Sequence, residues 1–278
     1  MAKGFINEDT LQDIADAIRE KTGDTDTMLP AEMAGNIANI PTGLDTSQIT
    51  DFSYFCRNNR LNNLVDKLNT ENGIDFSYMF DNSDEIEQVP VLDTSNGTNF
   101  YAMFSACYAL KNVPINDVGN GVNFSNMFNF CDSLENVPQL NCNKGTDFSN
   151  MFKNCTSLKT VGVLNTGNGT NFRSMFERCL ELTDIQPLDF SKGETYTYVF
   201  SSCTKLKNIS FTSIKIVNNT FSLSENILLT VESLLSVLNA LQDNSGGTKY
   251  TIYLGNTNLA KLTNEQKQIA YDKNYNLA

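Results

Sequence analysis

Apolar and polar positions recur every 24 residues through the middle of the chain. An aromatic residue opens an apolar segment at Phe52, Phe76, Phe100, Phe124, Phe148, Phe172 and Tyr196 without a slip. Behind it come Met79-Phe80, Met103-Phe104, Met127-Phe128, Met151-Phe152 and Met175-Phe176, ending as Val199-Phe200. Cys107, Cys131, Cys155, Cys179 and Cys203 form the next column. Ile86, Leu110, Leu134, Leu158, Leu182 and Leu206 follow, then Val89, Val113, Val137, Val161, Ile185 and Ile209. One such unit cannot bury its own apolar face, whereas a stack can, and a fixed period in this range marks repeat architectures. The predicted fold is an α/β solenoid, a leucine-rich-repeat-like stack of about seven 24-residue coils over residues 44–221, each coil carrying a short helix and a short parallel strand.

Each unit has a readable order. Leu-Asx opens it, as in Leu68-Asn69, Leu92-Asp93, Leu140-Asn141, Leu164-Asn165 and Leu188-Asp189, which predicts side chains satisfying backbone groups at a bend. Gly73, Gly97, Gly121, Gly145, Gly169 and Gly193 follow, each after Asn or Lys, and predict a turn at positive φ. Asp51, Asp75, Asn99, Asn123, Asp147, Asn171 and Thr195 are competent N-caps, so Phe-Ser-x-Met-Phe is expected to form one or two turns of α or 3₁₀ helix. The Leu-x-x-Val-x-Ile/Leu run then reads as a strand pairing in parallel with its neighbours, with Pro90, Pro114 and Pro138 near the strand ends.

The ends differ from the repeats. Residues 1–43 are predicted to form a helical docking module: Leu11, Ile14 and Ile18 share a face of one helix, Met33 and Ile37 a face of a second. Two helices so short need a surface to dock on. Residues 222–278 are predicted to be an α+β capping module. Thr230 caps a helix with Val231, Leu234, Leu235, Leu238 and Leu241 inward, Lys249 to Leu254 is a strand, Thr263 with Gln266 is a capping box, and Tyr275 to Ala278 adds an edge strand.

Charge and composition narrow the partners. With 32 acidic and 20 basic residues the net charge is -12, and no basic tract offers itself to phosphates, so nucleic acid and anionic lipid are disfavoured. No run approaches transmembrane length, so no membrane insertion is expected. The start, Met1-Ala2-Lys3-Gly4-Phe5, has no apolar signal-peptide core, and the chain is expected to be made and assembled in a cytoplasm.

Seven cysteines without a histidine invite a metal or disulfide interpretation. Five of them are the 24-residue column, without the short Cys-x-x-Cys pairs of a zinc site, and parallel stacked thiols are poorly oriented for bridging. They read as small buried residues with free thiols. Cys142 stands in a column otherwise held by Thr46, Thr70, Thr94 and Thr166. Stacked Asp/Asn carboxylates could hold calcium, but about half of that column is neutral Asn. No Ser/His/Asp or Cys/His constellation can be drawn, and the expectation is a protein without catalytic residues, cofactor or metal.

The run Met-Phe-x-x-Cys-x-x-Leu-x-x-Val resembles the BspA-like leucine-rich repeats of bacterial surface proteins, over residues 44 to about 221. The first copies depart from it, with Asn58 and Ser83 at the Cys position. The tail, Leu229 to Leu241 with Asn258 to Lys267, is similar to the C-terminal module that often closes such arrays. The head, Leu11 to Gly23 with Leu29-Pro30-Ala31-Glu32-Met33, resembles a short N-terminal module of tail and fibre proteins in phages of low-GC Gram-positive bacteria. The combination implies extracellular recognition. The expected protein is a non-enzymatic virion component of tail tip, baseplate or fibre that contacts the host surface and docks on other tail proteins through its first 43 residues, with trimeric assembly open. The alternative is a cell-surface adhesin.

In a solenoid the exposed strand positions form one broad face. Here that face is Gln88, Lys111, Asn112, Glu135, Asn136, Lys159, Thr160, Asp184, Lys207 and Asn208, suited to a glycan or a polar protein. A second possibility is an aromatic patch around Tyr54, Tyr78, Tyr101, Tyr108 and Tyr198 that stacks on sugar rings.

Overall fold

The computed structural model describes residues 46–58, 68–89, 91–112 and 117–278. The predicted docking residues Leu11, Ile14, Ile18, Met33 and Ile37 lie outside them. The described chain is a stack of repeats with a parallel sheet and few helices.

The apolar columns meet their counterparts one period away. Phe52, Phe76, Phe100, Phe124, Phe148 and Phe172 form a file of near-parallel rings with centroids 5.6 to 5.7 Å apart. Phe80, Phe104, Phe128, Phe152, Phe176 and Phe200 form a second, at 5.3 to 5.7 Å. The methionine, cysteine and leucine columns fill the space beside the rings in one continuous core. Aromatic pairs at these separations add to the burial each ring already contributes.

The backbone between the rings departs from the sequence expectation. In the described repeats no helix forms at Phe-Ser-x-Met-Phe. Alternate N–H groups leave the unit altogether: those of Phe124, Asn126, Phe128 and Phe130 donate to Asp147, Ser149, Met151 and Lys153 of the next repeat, all at 2.9 Å. The N–H groups between them close three-residue-back turns, Met127 to Phe124, Asn129 to Asn126 and Cys131 to Phe128. Asn126 and Phe130 have φ of 58° and 60°, as do the equivalent residues of other repeats, including Tyr54, Tyr78, Asn82 and Asn154. The turns closed by Met127 and Cys131 therefore carry a left-handed residue, Asn126 and Phe130, at their third position. An α-helix would direct every N–H back along its own chain. Half of them bond the neighbouring repeat instead, so pairing across the stack overrides the local cap signal. The capping residues keep a related role, since Asp75, Asn123 and Asp147 accept the N–H two residues on, from Ser77, Ser125 and Ser149, at 2.8 to 3.0 Å.

The glycine column also has a different cause. None of Gly73, Gly97, Gly121, Gly145, Gly169 or Gly193 is at positive φ. A Cβ on Gly121 would lie 2.3 Å from the Phe124 ring and 2.9 Å from that of Phe100. The column is glycine because an aromatic ring, phenylalanine or at Gly193 the Tyr196 ring, occupies the space of the missing side chain. Gly121→Ala is therefore expected to destabilise by about 1–3 kcal/mol through overpacking. A loss of chain entropy alone would stabilise by about 0.4–1 kcal/mol, so a raised midpoint in thermal unfolding would contradict ring clearance as the reason.

Among the described residues, four repeats carry strands: β1 (Asn136–Val137), β2 (Thr160–Val161), β3 (Asp184–Phe190) and β4 (Asn208–Ile214). They form one parallel sheet in the order β1-β2-β3-β4, with Asn136, Thr160, Asp184 and Asn208 in register. β3 runs past Pro187 with register shifts around Leu188, where a residue without an N–H interrupts the ladder.

Beyond β4 the chain becomes α1 (Val231–Ala240), β5 (Tyr250–Ile252), α2 (Gly255–Leu259), α3 (Asn264–Asp272) and β6 (Tyr275–Leu277). Thr230 caps α1, and the Thr263/Gln266 capping box opens α3. β6 pairs in parallel with β5, and α2 is an element the sequence did not announce. α1 lies along the free edge of β4. Ser233 and Ser236 hydroxyls accept the N–H groups of Ile209 and Phe211, both at 3.0 Å, and Ser233 donates to the Lys207 carbonyl at 3.1 Å. Lys273 closes the other end of α1, its ammonium bonding the carbonyls of Leu238, Asn239 and Leu241. An exposed strand edge is a template for unwanted pairing, and here serines occupy it. Ser233→Ala leaves the buried Ile209 N–H without a partner, so a loss of about 1–3 kcal/mol in chemical denaturation is expected; an unchanged midpoint would show that this edge is satisfied otherwise.

Candidate functional site

The fixed register carries the site. In a parallel ladder, residues one period apart stand side by side on one face, and the in-register positions of β1 to β4 point outward while Val137, Val161, Ile185 and Ile209 point into the core. Gln88, Lys111, Asn112, Glu135, Asn136, Lys159, Thr160, Lys207 and Asn208 are exposed, and Asp184 is partly so. Lys111 and Lys159 reach back one repeat to Glu87 and Glu135, each at 2.7 Å. Lys205 does the same to Glu181 at 2.6 Å. Thr160 donates to the Asn136 side-chain oxygen at 2.7 Å and Asn208 to the Asp184 carboxylate at 2.6 Å. Hydrogen bonds from Thr183 and Asn208, with the Lys207 charge nearby, hold the Asp184 carboxyl below its ordinary range. These exposed pairs contribute little stability. They produce a polar face of alternating sign, several of whose groups are already partnered.

The tyrosines do not form one patch. Tyr54 stacks on Tyr78 at 4.6 Å, Tyr101 meets Tyr78 edge-on at 5.0 Å, and Arg57, held by Asp81 at 2.9 Å, lies over Tyr54 and Tyr78. Tyr108 packs near Phe130 at 6.4 Å. Tyr198 stands apart and exposed.

A second outward face was not apparent from the sequence. The N–H groups of Ile74, Thr98, Val122, Thr146 and Thr170 each bond the carbonyl one period earlier, at 2.7 to 2.9 Å. Each glycine closes a turn, Gly73 N–H bonding the Thr70 carbonyl at 2.9 Å, and the chain runs along the ladder only after it, with Asn72 and Ile74 outward and Gly73 beneath them. The outward-inward-outward alternation Asn72-Gly73-Ile74 was the available signal; the turn expected there is present, and it said nothing of the face beyond it.

The cysteines are all free and buried. Cys107, Cys131, Cys155, Cys179 and Cys203 donate their thiols to Phe80, Phe104, Phe128, Phe152 and Phe176 carbonyls at 2.9 to 3.1 Å. Ser83 does the same with its hydroxyl to the Cys56 carbonyl, and Asn226 with its amide to Phe200. The column thus holds small residues that can donate one hydrogen bond across the stack. Burial pushes the Cys56 and Cys142 thiols, outside the column, up to about 12 and raises Cys107, Cys131, Cys155 and Cys179 within it. Thiols held protonated in this way are poor nucleophiles and ligands.

The Asx ladder satisfies its own backbone. Asn69, Asp93, Asp117 and Asp189 accept the N–H two residues ahead at 2.8 to 3.0 Å. Among the described residues no group of three or more His, Cys, Asp or Glu is arranged to hold a metal ion, and no helix is long and apolar enough to cross a membrane.

Two segments, residues 26–138 and 122–228, match the family described as Mycoplasma protein of unknown function, DUF285. The chain belongs to that family. The two matched DUF285 segments begin 96 residues apart, four times the 24-residue period, so both align to the same columns of the stack. No curated protein matches this DUF285 chain.

Proposed function

We propose that the chain is a non-enzymatic recognition protein in which a leucine-rich-repeat-like solenoid of about seven 24-residue coils presents its outer faces to a cell-surface glycan or protein. The observation that carries this reading is the register Asn136, Thr160, Asp184, Asn208, which holds polar side chains side by side in one row. Flat ordered surfaces of this kind suit binding, while chemistry needs a concave site that excludes water. The cysteine column and the Asx ladder, the two features with apparent chemical potential, are engaged in holding the stack together.

Residues 222–278 act in this reading as the module that closes the stack, and residues 1–43 as the attachment to a larger assembly. The resemblance of the head to phage tail and fibre modules favours a virion component assembled in the host cytoplasm, docked on other tail proteins and open to trimeric association. Membership in DUF285, whose repeats resemble those of BspA-like surface proteins, favours a second reading as an adhesin on a bacterial surface.

The test is adsorption. Purified protein is expected to bind host cells, and simultaneous Asn136→Ala, Thr160→Ala and Asn208→Ala substitutions are expected to weaken that binding with the fold intact. Unchanged adsorption would remove this face as the binding site. Copurification with particles that is lost on deleting residues 1–43 would support the virion reading, and recovery on washed intact cells would support the adhesin.

A further inference from the structure

The second outward face has the properties of a ligand groove, and its assignment rests on the recognition function proposed for the chain. A trough of about 460 Å³ runs between two columns, lined by Gln48, Asn72 and Asn96 on one side and Thr50, Ile74 and Thr98 on the other. Its backbone is fixed by the ladder from Ile74 to Thr50 and from Thr98 to Ile74, at 2.7 and 2.9 Å. Asn72 and Asn96 donate their amides to the carbonyls of Ser47 and Glu71, at 2.7 and 2.8 Å. That contact fixes each amide plane and leaves its side-chain oxygen as an outward acceptor. Ile74 is 48% exposed, and Val122, the next apolar residue of the same column, 42%.

Charge separates this face from its surroundings. No lining residue is ionisable, in a chain of net charge -12 whose strand face carries lysine–glutamate pairs. The trough has no cation for a phosphate or carboxylate polymer, which the net charge repels. It also lacks the aromatic and arginine anchors on which protein interfaces depend. What remains is methyl groups alternating with neutral acceptors at one strand spacing, about 4.8 Å per repeat. We propose that this trough binds an extended neutral glycan lying along the stack axis, sugar C–H faces against Thr50, Ile74 and Thr98 and sugar hydroxyls donating to Asn72 and Asn96.

The test uses the full chain and soluble probes: neutral gluco-oligosaccharides and chito-oligosaccharides of increasing length, with oligogalacturonate as the acidic comparison, measured by calorimetric titration. Binding of at least one neutral series is expected to tighten with length, and oligogalacturonate is expected not to bind. Ile74→Lys combined with Val122→Glu, both at exposed positions, is expected to weaken binding about tenfold or more, since each charge must be desolvated against a neutral ligand. Its melting midpoint is expected to stay near that of the parent, and the strand-face triple variant to keep full affinity. Absence of binding to every neutral series, equal binding of the acidic one, or an unaffected Ile74→Lys/Val122→Glu variant would overturn the proposal. Host-cell adsorption separates the two ideas. Adsorption lost only in the strand-face variant would overturn the glycan trough and keep the recognition reading, whereas no adsorption of the parent chain would overturn the latter. Adsorption lost in the trough variant without affinity for any neutral oligosaccharide would overturn the glycan and assign the face to a different ligand.

Discussion

Phe128→Ala is expected to melt the middle of the stack. The ring is fully buried and lies 5.5 Å from both Phe104 and Phe152. Its carbonyl accepts the Cys131 N–H at 3.2 Å and the Cys155 thiol at 3.0 Å, and its own N–H bonds Met151 at 2.9 Å. The cavity should cost about 3–5 kcal/mol, a large share of the roughly 5–15 kcal/mol that holds an ordinary domain. Because each repeat touches only its neighbours, the damage is expected to stay local: hydrogen exchange should accelerate first for the amides that bond across the flanking repeats, while α1 and α3 remain protected. Phe130→Ala, two residues away and 41% exposed, is the control and should cost much less, about 1 kcal/mol. Equal melting midpoints for the two variants would contradict the ring-file core.

The second large effect is alkaline. An unfolded thiol ionises with an ordinary pKa near 9, whereas burial holds Cys56 and Cys142 protonated to about 12. Between these values the folded state binds more protons than the unfolded one, so stability present below pH 9 is lost as pH rises toward 12. Each such thiol contributes a slope of roughly 1.4 kcal/mol per pH unit in that window. Cys131 and Tyr196, also raised by burial, act in the same direction. The urea midpoint is expected to be nearly flat from pH 7 to 8.5 and to fall steeply above 9. Cys142→Thr should flatten the slope by one group, because Thr46 and Thr166 show that a hydroxyl in this column bonds the carbonyl of the next repeat at 2.8 Å. A midpoint independent of pH above 9 would show that the thiols are accessible to water.

The period, the buried columns and the modest role of the cysteines were legible in the sequence because they depend on hydrophobicity alone. Thr230 and the Thr263/Gln266 box were legible because helix caps are local. The turns were not. Asn123 before Phe124-Ser125 looks the same whether it caps a helix or an Asx turn, and the choice is made by Asp147 and Met151, a full period away. The left-handed positions were half visible: Asn58, Asn82, Asn126, Asn150 and Asn154 carry the residue type that tolerates positive φ, but Tyr54, Tyr78 and Arg178 occupy the same conformation and hide the columns. Gly121 misled in the opposite sense, as its reason is the Phe124 ring. For the candidate site, the exposed Asn136 next to the buried Val137 followed from alternation. The trough beside Ile74 did not, because the Asn-Gly pair signals only the turn that it does form, and the extended run after it is set by the inter-repeat ladder.

The stack requires each residue to lie against its counterpart 24 positions on, and removal of one period tests that most directly. Deleting residues 117–140 takes out one complete unit and keeps every later column in register with every earlier one. Deleting only 117–128 removes half a unit and sets the Phe148 column against the exposed Asn112 column and the Phe152 column against the Leu92 column. Circular dichroism during thermal unfolding is expected to show one cooperative transition for the first deletion, at a midpoint close to that of the parent, and no cooperative transition for the second. Two deletions that fold equally well, or fail equally, would contradict the stack.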